Sequence, residues 1–318
     1  MKRKVLLLAT TVLLNIIHVL CDEKPVYKIV SNERRSSEPY ITGDTFRQLS
    51  HFVFDESAAD FDPAKITKPS IIFVKNDHFF PKVYKHDHLK KFFQEYHPLI
   101  SHKYILITHN GDRSAPGEFL SYLDDPKIIH WFGQNTSIKN HPKFTPIPIG
   151  IANKYWAHGD PDIFDNAIRK AVYAQKKFLL YSNFEPSNMF AKRQPVIDYF
   201  SDKRFCYKAA RKKINLYLAE LAESKFVLCP EGCGLDCHRM WETLLMGSIP
   251  VMQRSTLSPL FEGLPVVIVD TWSDVTKDFL EKKWQEFCSQ DIRKEYRLEK
   301  IYVSYWKNLI LNTLKKNS

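Results

Sequence analysis

The chain has 318 residues, of which 44% are hydrophobic and 26% charged, and its formal net charge is +10. This composition excludes a disordered or fibrous chain, and the length predicts two domains that each bury a core. Nucleic acid is not predicted as a partner, because no arginine-rich run with interleaved aromatic residues occurs; solvated lysine faces are the simplest explanation of the charge.

The amino terminus has the pattern of a targeting segment. Residues 2–4 are basic, and an apolar run from Val5 to Leu20 follows, interrupted by Asn15 and His18. Sixteen residues is short for a membrane span, so residues 1–21 are predicted to be a signal peptide, with membrane anchoring through residues 5–20 as the alternative. A bacterial lipoprotein signal fits less well. The pattern predicts entry to the secretory route.

Residues 22–175 alternate helix patterns with short apolar runs. After an irregular lead-in, helices are predicted near Thr45 to Phe54 and over His88 to Tyr96. Two more are predicted, from Pro116 to Leu123 and from Ile163 to Gln175. The predicted buried strands between them are Ile71–Val74, Tyr104–Ile107, Ile128–Phe132 and Phe144–Ile149. The alternation predicts a parallel sheet covered by helices, and hence a first domain over residues 22–175.

Residues 176–318 repeat this alternation. The predicted strands are Lys177–Tyr181, Phe226–Cys229, Ile249–Met252 and Val266–Val269. The predicted helices are Arg193–Phe200, Ile214–Glu223, a helix capped by Ser273 that runs towards Phe287, and a long amphipathic helix from about Asp291 to Leu314. We expect this last helix to cross back and brace the first half.

The stretch from Ser224 to Met252 carries the most specific pattern. Its apolar run ends at Pro230, because proline cannot donate to a sheet ladder. A loop follows with Gly232 and Gly234, where the backbone must turn tightly or approach another group closely. Asp236 is placed to cap the next helix. The unit is strand, glycine loop, helix and strand, and such a loop lies at the carboxyl end of a parallel strand, where ligands usually bind.

The helix after this loop has two faces. Trp241, Leu244 and Leu245 form an apolar stripe, and a polar stripe holds His238, Arg239 and Glu242. Free amides at the helix start suit a phosphate, as does the planar guanidinium of Arg239, and His238 is a further candidate for phosphate contact. Glu242, about two turns in, has acceptors for the vicinal hydroxyls of a sugar. The pattern predicts a nucleotide-sugar site.

The same stretch resembles the donor-site signature of exostosin-like glycosyltransferases, which are inverting enzymes with two Rossmann-like domains (the GT-B fold). The residues that carry the resemblance are Phe226-x-Leu228-Cys229-Pro230-x-Gly232, Arg239-x-x-Glu242 and Gly247-x-Ile249-Pro250-Val251. Looser similarity upstream covers residues 107–112, 131–135 and 146–150. The chain departs from the family pattern at Glu231, where a basic residue is common, and at Cys237, where serine is common.

The resemblance implies an α/β fold with two parallel-sheet domains and an interdomain cleft. The resemblance implies that residues 176–318 hold the donor, a uridine diphosphate sugar, and that residues 22–175 present a glycan or glycoprotein acceptor. It also implies that Arg193 points at the diphosphate. The full set of expected donor contacts is Arg193, Gly232, Gly234, Asp236, His238, Arg239 and Glu242.

An inverting transfer needs a base that takes the proton of the acceptor hydroxyl. His109 and Asp112 follow a predicted strand end in the first domain, and both are candidates for this role. Asp112 has a simpler interpretation as a turn residue after Asn110-Gly111. A transferase without a recognisable base remains an alternative.

A metal cofactor is not expected. Cys229, Cys233 and Cys237 are spaced by fours, but they lack a Cys-x-x-Cys pair and fit a donor loop better. Two Asp-x-Asp triplets, at residues 60–62 and 160–162, do not follow strands as a metal-diphosphate site would require. Disulfides are compatible with a lumenal protein, and Asn135-Thr136-Ser137 is a glycosylation sequon.

The predicted function is therefore an inverting glycosyltransferase, located in the Golgi or endoplasmic reticulum if the host is eukaryotic and exported or membrane-associated if it is bacterial. One alternative is a fucosyltransferase-like enzyme that uses a guanosine diphosphate sugar. Another is a catalytically inactive carbohydrate-binding module of the same fold.

Overall fold

The computed structural model describes residues 33–57, 61–77, 87–186, 189–289 and 295–317. The predicted signal segment at residues 1–21 lies outside these ranges. Within them, no helix combines the length and the apolar character that a bilayer crossing requires.

Two five-stranded sheets, each with only parallel pairings, form the framework of the described residues. The first contains β1 Phe52–Phe54, β2 Ser70–Lys75, β3 Tyr104–His109, β4 Ile128–Gly133 and β5 Phe144–Pro146. The second contains β6 Phe178–Ser182, β7 Cys206–Lys208, β8 Ser224–Leu228, β9 Ile249–Gln253 and β10 Val267–Val269. The expected α/β fold with two Rossmann-like halves is confirmed.

Helices or 3₁₀ turns form most of the connections between the parallel strands, whereas a loop without a helix joins β4 to β5. The α-helices are α1 Gly43–Gln48, α2 His88–Lys91, α3 Pro161–Ala171, α4 Phe190–Phe200, α5 Ile214–Ala222, α6 His238–Leu245, α7 Lys277–Ser289 and α8 Val303–Lys315. A π-helical turn, Phe92–Tyr96, extends α2. Gly247 ends the α6 segment with a positive φ of 67°, the conformation that glycine adopts without steric cost.

The strand orders of the two sheets differ. The first sheet runs β1-β2-β3-β4-β5, in chain order, whereas the second runs β10-β9-β8-β6-β7. In the second sheet the chain passes from β6 to β7 on one side and then to β8 on the other side of β6. Between β6 and β8 the direction of winding therefore reverses, and the carboxyl ends of two such strands enclose a crevice.

Both sheets are buried on both faces. Alternate residues of β3 point into different apolar clusters, with Ile105 and Ile107 in a central cluster and Leu106 in an outer one. In β8, Val227 joins the central cluster and Phe226 the outer cluster of the second sheet. The central cluster contains side chains from both halves, so the two sheets are joined by a continuous core.

The last helix braces the first half, as expected. The α8 segment packs against β3 and β4, and the amide of Val303 donates to the carbonyl of Pro39 at 3.1 Å. The helix is shorter than predicted, because a 3₁₀ turn, Leu298–Ile301, precedes it. The start of the predicted helix, residues 291–294, lies outside the described residues.

Other boundaries differ from the predictions. The helix predicted near Thr45 to Phe54 ends at Gln48, and Phe52–Phe54 instead pairs with β2 as an edge strand. Proline at positions 146 and 148 stops β5 before Ile149. The short edge strand β7 has no clear apolar pattern, and sequence reasoning missed it.

Two predicted helix caps are wrong. Ser273 lies inside a 3₁₀ turn, Trp272–Asp274, that Thr271 caps, and α7 starts only at Lys277. The N-cap of α6 is Cys237, not Asp236. Asp236 makes tertiary hydrogen bonds instead, because its burial at the junction of the two halves offers it several donors.

Candidate functional site

The carboxyl ends of the two sheets meet at one junction. The loop after β8 contacts the segments that follow β3, β4 and β5, and the loop after β6 lies beside it. The hydroxyl of Thr256, after β9, donates to the carbonyl of Thr136 at 2.6 Å. The site is therefore built from strand ends of both halves, with the crevice between β6 and β8 at its centre.

Asp236 joins the two halves. Its carboxylate accepts hydrogen bonds from the backbone amide of Ile149 at 2.8 Å and from Trp241 Nε1 at 2.9 Å. Its own amide donates to Asn135 Oδ1 at 2.9 Å. Burial raises the pKa of this carboxyl to about 7, although the hydrogen bonds oppose the shift. Asp236 is thus fully used in holding the loop and has no oxygen directed at a ligand.

The two loop glycines are required by close approach. A Cβ atom on Gly234 would lie 2.5 Å from Asn135 Nδ2, and one on Gly232 would lie 2.9 Å from Arg193 NH2. The amide of Gly232 donates to the carbonyl of Gly234 at 3.0 Å, which closes a tight turn. The glycines thus shape the loop against the first domain and against α4.

Glu242 is buried, with 6% of its surface exposed. Its Oε2 atom accepts a hydrogen bond from the hydroxyl of Tyr217 on α5 at 2.9 Å. Burial first, and then the Glu242 carboxylate, raise the pKa of Tyr217 well above its usual value, so the hydroxyl keeps its proton and remains a donor. Among the described residues Tyr217 is the one hydrogen-bond partner of the Glu242 side chain.

Arg239 lies between Glu242 and the loop after β6. It donates from NH2 to the carbonyl of Asn183 at 2.6 Å, and its guanidinium lies 5.5 Å from the ring centre of Phe184. Its Nε atom is buried and has no hydrogen-bond partner among the described residues. Burial lowers the pKa of Arg239, but neighbouring titratable groups, among them the Glu242 carboxylate, outweigh it and raise the pKa above its ordinary value, so the guanidinium remains charged.

Arg193 is fixed at the start of α4. It donates from Nε to the carbonyl of Glu231 and from NH1 to the carbonyl of Glu185, both at 3.0 Å. These bonds link the loops that follow β6 and β8. The Glu231 side chain pairs with Lys192 at 2.7 Å. The negative charge of Glu231, at a position where a basic residue is common in exostosin-like enzymes, is therefore balanced locally.

His238 is the first residue of α6 and faces the first domain. Its Nδ1 atom donates to the carbonyl of Gly150 at 2.7 Å, since a carbonyl can only accept. The structure therefore places Arg193 and Arg239 against the loop after β6, and Glu242 lies three positions after Arg239 on α6. Asp236 and His238 instead bind the first domain.

His109 is buried at the end of β3. Its Nε2 atom donates to the carbonyl of Pro148 at 3.0 Å, and its Nδ1 atom accepts from the amide of Asn110 at 2.7 Å. Burial lowers the pKa of this imidazole to about 4. Both nitrogens are thus used inside the first domain, and neither points at the cleft.

Asp112 lies at the mouth of the cleft. It lines a cavity of about 310 Å³ together with Ser114 and Glu118 on one side and Glu231 and Cys233 on the other. This volume is at the lower end of ligand-binding clefts in proteins. Of the two predicted bases, Asp112 is the one that faces the space between the halves.

Sequence reasoning missed two residues of the site. Tyr217 lies on α5, 25 positions before the glutamate that it binds, and an apolar helix face conceals it. Asn135 is fully buried and has a positive φ of 55°. The sequence showed Asn135 only as part of a sequon, whereas in the structure its side chain is enclosed between the halves, where its Oδ1 atom accepts from the amide of Asp236.

Cysteines and acidic triplets have local structural roles. All five described cysteines are free thiols, and no cluster of three or more metal-ligating side chains occurs within the described ranges. Asp62 is the last residue of the first Asp-x-Asp triplet, and Asp160 is the first residue of the second. Each caps a helical segment by accepting a hydrogen bond from a backbone amide.

One comparison with known protein families matches the part of the chain that contains most of this site. A family model described as the RXYLT1 C-terminal domain matches residues 199–317. This span is less than half of the chain, and it contains the loop after β8, Tyr217, Arg239 and Glu242. The match supports assignment of the chain to a glycosyltransferase family. No curated protein matches the chain significantly.

Proposed function

We propose that the protein is an inverting glycosyltransferase that transfers a sugar from a nucleoside diphosphate, preferentially uridine diphosphate, to a glycan or glycoprotein acceptor. The observation that carries this proposal is the position of Glu242. It is a buried carboxylate, held by Tyr217, on the helix that follows β8, and β8 is one of the two strands between which the second sheet reverses its winding. Isolated buried carboxylates are costly, and one that is kept at a strand-end crevice indicates a ligand with hydroxyl donors.

In this proposal Glu242 accepts hydrogen bonds from the ribose hydroxyls of the donor. The hydrogen bond from Tyr217 to Oε2 fixes the orientation of the carboxylate. Its other oxygen and its remaining lone pairs are therefore already oriented when the ligand binds. A preorganised acceptor loses little side-chain entropy when the ligand binds.

The diphosphate lies against the two arginines. Arg239 has a buried Nε donor without a partner among the described residues, and an unsatisfied buried donor costs about 1–3 kcal/mol. A phosphate oxygen would satisfy it. Arg193 is held by two backbone carbonyls at the same loop, which places a second guanidinium close by. Both charges stabilise the departing diphosphate, where negative charge accumulates during transfer.

The acceptor occupies the cleft lined by Asp112 and Glu231. Inversion requires the acceptor hydroxyl to attack the anomeric carbon from the side opposite the diphosphate, while a base removes its proton. Asp112 lies on the wall of the first domain, across from the loop that holds the donor. We assign the base role to Asp112, because His109 has both nitrogens engaged elsewhere.

The amino-terminal sequence pattern supports a location of this reaction in the secretory route. Residues 2–20 carry a basic cluster and an apolar run, the features of a secretory signal or a short anchor. Transfer in a lumen requires that the activated sugar is imported from the cytosol.

The decisive experiment is calorimetric titration of uridine and guanosine diphosphates and their sugars into the purified protein. We expect uridine diphosphate to bind, and Glu242→Gln to weaken it about tenfold or more, because a charge-assisted hydrogen bond is lost. The matched control is Glu299→Gln, which removes an exposed carboxylate paired with Arg297 and should leave affinity unchanged.

Three outcomes would contradict the proposal. Preference for guanosine diphosphate would favour the fucosyltransferase-like alternative. Binding of glycans without any nucleotide would favour an inactive carbohydrate-binding module. Nucleotide binding that is equal in Glu242→Gln and wild type would remove the assigned role of Glu242.

A further inference from the structure

A second candidate site lies at the opposite end of the second sheet. A cavity of about 610 Å³ opens beside the amino-terminal ends of β6 and β8 and along the edge strand β7. The five residues of β6 span about 16 Å between this cavity and the crevice. The two sites are therefore separate.

The cavity is strongly basic. Six cationic side chains line it against one carboxylate, that of Glu281; the cations are Lys176, Lys177, Arg204, Lys208, Lys225 and Lys277. A concave surface with one sign of charge concentrates ligands of the opposite sign. The chemistry of this wall favours an anion with several charges.

Two of the cations are fixed in place by neutral oxygens. The ammonium of Lys176 donates to the carbonyls of Ala222 and Gly247 and to Ser248 Oγ, each at 2.8 Å. Burial lowers its pKa to about 8, and no described carboxylate pairs with it. The ammonium of Lys208 similarly donates to three carbonyls, the shortest contact being 2.9 Å to Ser201. At neutral pH these groups supply positive charge to the cavity wall, and their donors are used by protein oxygens.

Other cations at the rim are able to contact a ligand. Arg204 is exposed and forms no ion pair with any described residue. Lys277 is exposed and pairs only loosely with Glu281, at 3.5 Å on the same helix. Surface pairs of this kind contribute little and are easily exchanged for a better anion.

An aromatic platform lies in the same cavity. The ring of Tyr207 stacks on Phe178 with a centroid distance of 4.1 Å and an interplanar angle of 7°. Tyr207 remains 39% exposed, so one side of the stacked pair is open. A flat apolar ring beside cations suits a molecule that has both apolar faces and anionic groups, such as a sugar chain bearing sulfate or phosphate.

We propose that this cavity, lined by Arg204, Tyr207 and Lys277, binds an anionic glycan chain at a site separate from the transfer cleft. The glycan's sulfate or phosphate groups contact the rim cations, and a sugar ring packs on Tyr207. The site does not depend on the transfer reaction, so it is tested independently of the proposed function.

The test compares the binding of short dextran sulfate and of unsulfated dextran of the same length by calorimetry. We expect only the sulfated chain to bind. The double variant Arg204→Ala/Lys277→Ala should weaken it about tenfold, whereas Lys315→Ala/Lys316→Ala, which removes the same charge at the exposed end of α8, should leave it nearly unchanged. Affinity for uridine diphosphate should not change in either variant.

Further arms decide between the glycan and other anions. Tyr207→Ala should lower the affinity for dextran sulfate several-fold, whereas Tyr207→Phe should leave it unchanged. Thermal melts establish that both variants are folded. Equal losses in the two charge variants, or no loss in Tyr207→Ala, would overturn the proposal. So would tighter binding of phosphatidylserine vesicles, single-stranded DNA or inorganic sulfate alone than of the sulfated chain.

Discussion

Asp236 accepts a hydrogen bond from the backbone amide of Ile149 at 2.8 Å, across the junction between the two sheets. The two residues are 87 positions apart, and they join the loop that follows β8 to the segment that follows β5. This contact, together with the hydrogen bond from the amide of Asp236 to Asn135, makes the loop after β8 part of the interface with the first half. The geometry of the cleft is thereby coupled to one buried carboxyl group.

The first prediction concerns the pH dependence of that contact. Burial raises the pKa of Asp236 from its ordinary 3.8 to about 7. Because the folded pKa lies above the unfolded value, the contribution of this carboxyl to the free energy of unfolding is full below about pH 4 and is lost as the pH rises through 7. Asparagine in its place does not titrate.

We therefore expect the Tm of the wild type, relative to that of Asp236→Asn, to fall as the pH is raised from 4 to 8. Thermal melts of both proteins across this range measure the difference. A Tm difference that is constant with pH would mean that Asp236 is ionised throughout.

The second prediction concerns the pair of Tyr217 and Glu242. Tyr217→Phe leaves the buried carboxylate without its donor and should lower the free energy of unfolding by about 1–3 kcal/mol. The substitution should also lower the affinity for uridine diphosphate, because the carboxylate is no longer held in one orientation. Tyr181→Phe is a matched control, since Tyr181 makes an equivalent 2.9 Å hydrogen bond to Glu220 in the same half.

Denaturant unfolding and calorimetry separate the two effects. The control should retain nucleotide affinity, and it should lose less stability because Glu220 also pairs with Lys212 at 2.5 Å. If Tyr181→Phe weakened the nucleotide as much as Tyr217→Phe, the donor would have to lie nearer to Glu220.

The third prediction separates the two candidate bases. General-base catalysis contributes about 10²–10⁴ to the rate, so Asp112→Asn should lower kcat by that factor with little change in nucleotide affinity. His109→Gln should lower kcat by less than about tenfold, because the pKa of His109 is about 4 and its nitrogens are engaged within the first domain. Steady-state kinetics with a uridine diphosphate sugar and an accepted glycan make the comparison. The opposite ranking would require the cleft to rearrange when substrate binds.

The fourth prediction tests the close approach of the two halves. Gly234→Ala places a Cβ atom 2.5 Å from Asn135 Nδ2 and should destabilise the protein by about 1–3 kcal/mol. In an Asn135→Gly background the clashing side chain is gone, and glycine tolerates the positive φ at this position. The same Gly234→Ala change should then cost much less, and the two changes should be strongly non-additive in a double-mutant cycle. Simple additivity would show that the loop adjusts without touching Asn135.

The second sheet shows which parts of the fold were predictable from local sequence. Apolar runs such as Phe226–Cys229 and the helix pattern after them appear in the structure as β8 and α6, because strand and helix formation depend on residue spacing over one or two turns. The edge strand β7 was not predicted from the sequence, because a short strand that is exposed on one side has little apolar pattern.

What the sequence determined by itself was the α/β alternation, the glycine loop at the end of a central strand and the acid about one turn into the following helix. Tertiary structure alone decided that β6 lies between β7 and β8, that Tyr217 orients Glu242, and that Asp236 joins the two halves instead of capping a helix. The physical reason is the distance along the chain over which each kind of interaction acts. Local pattern records which residues are apolar and how they are spaced, whereas the partner of a buried polar group depends on which distant segments the packed core brings together.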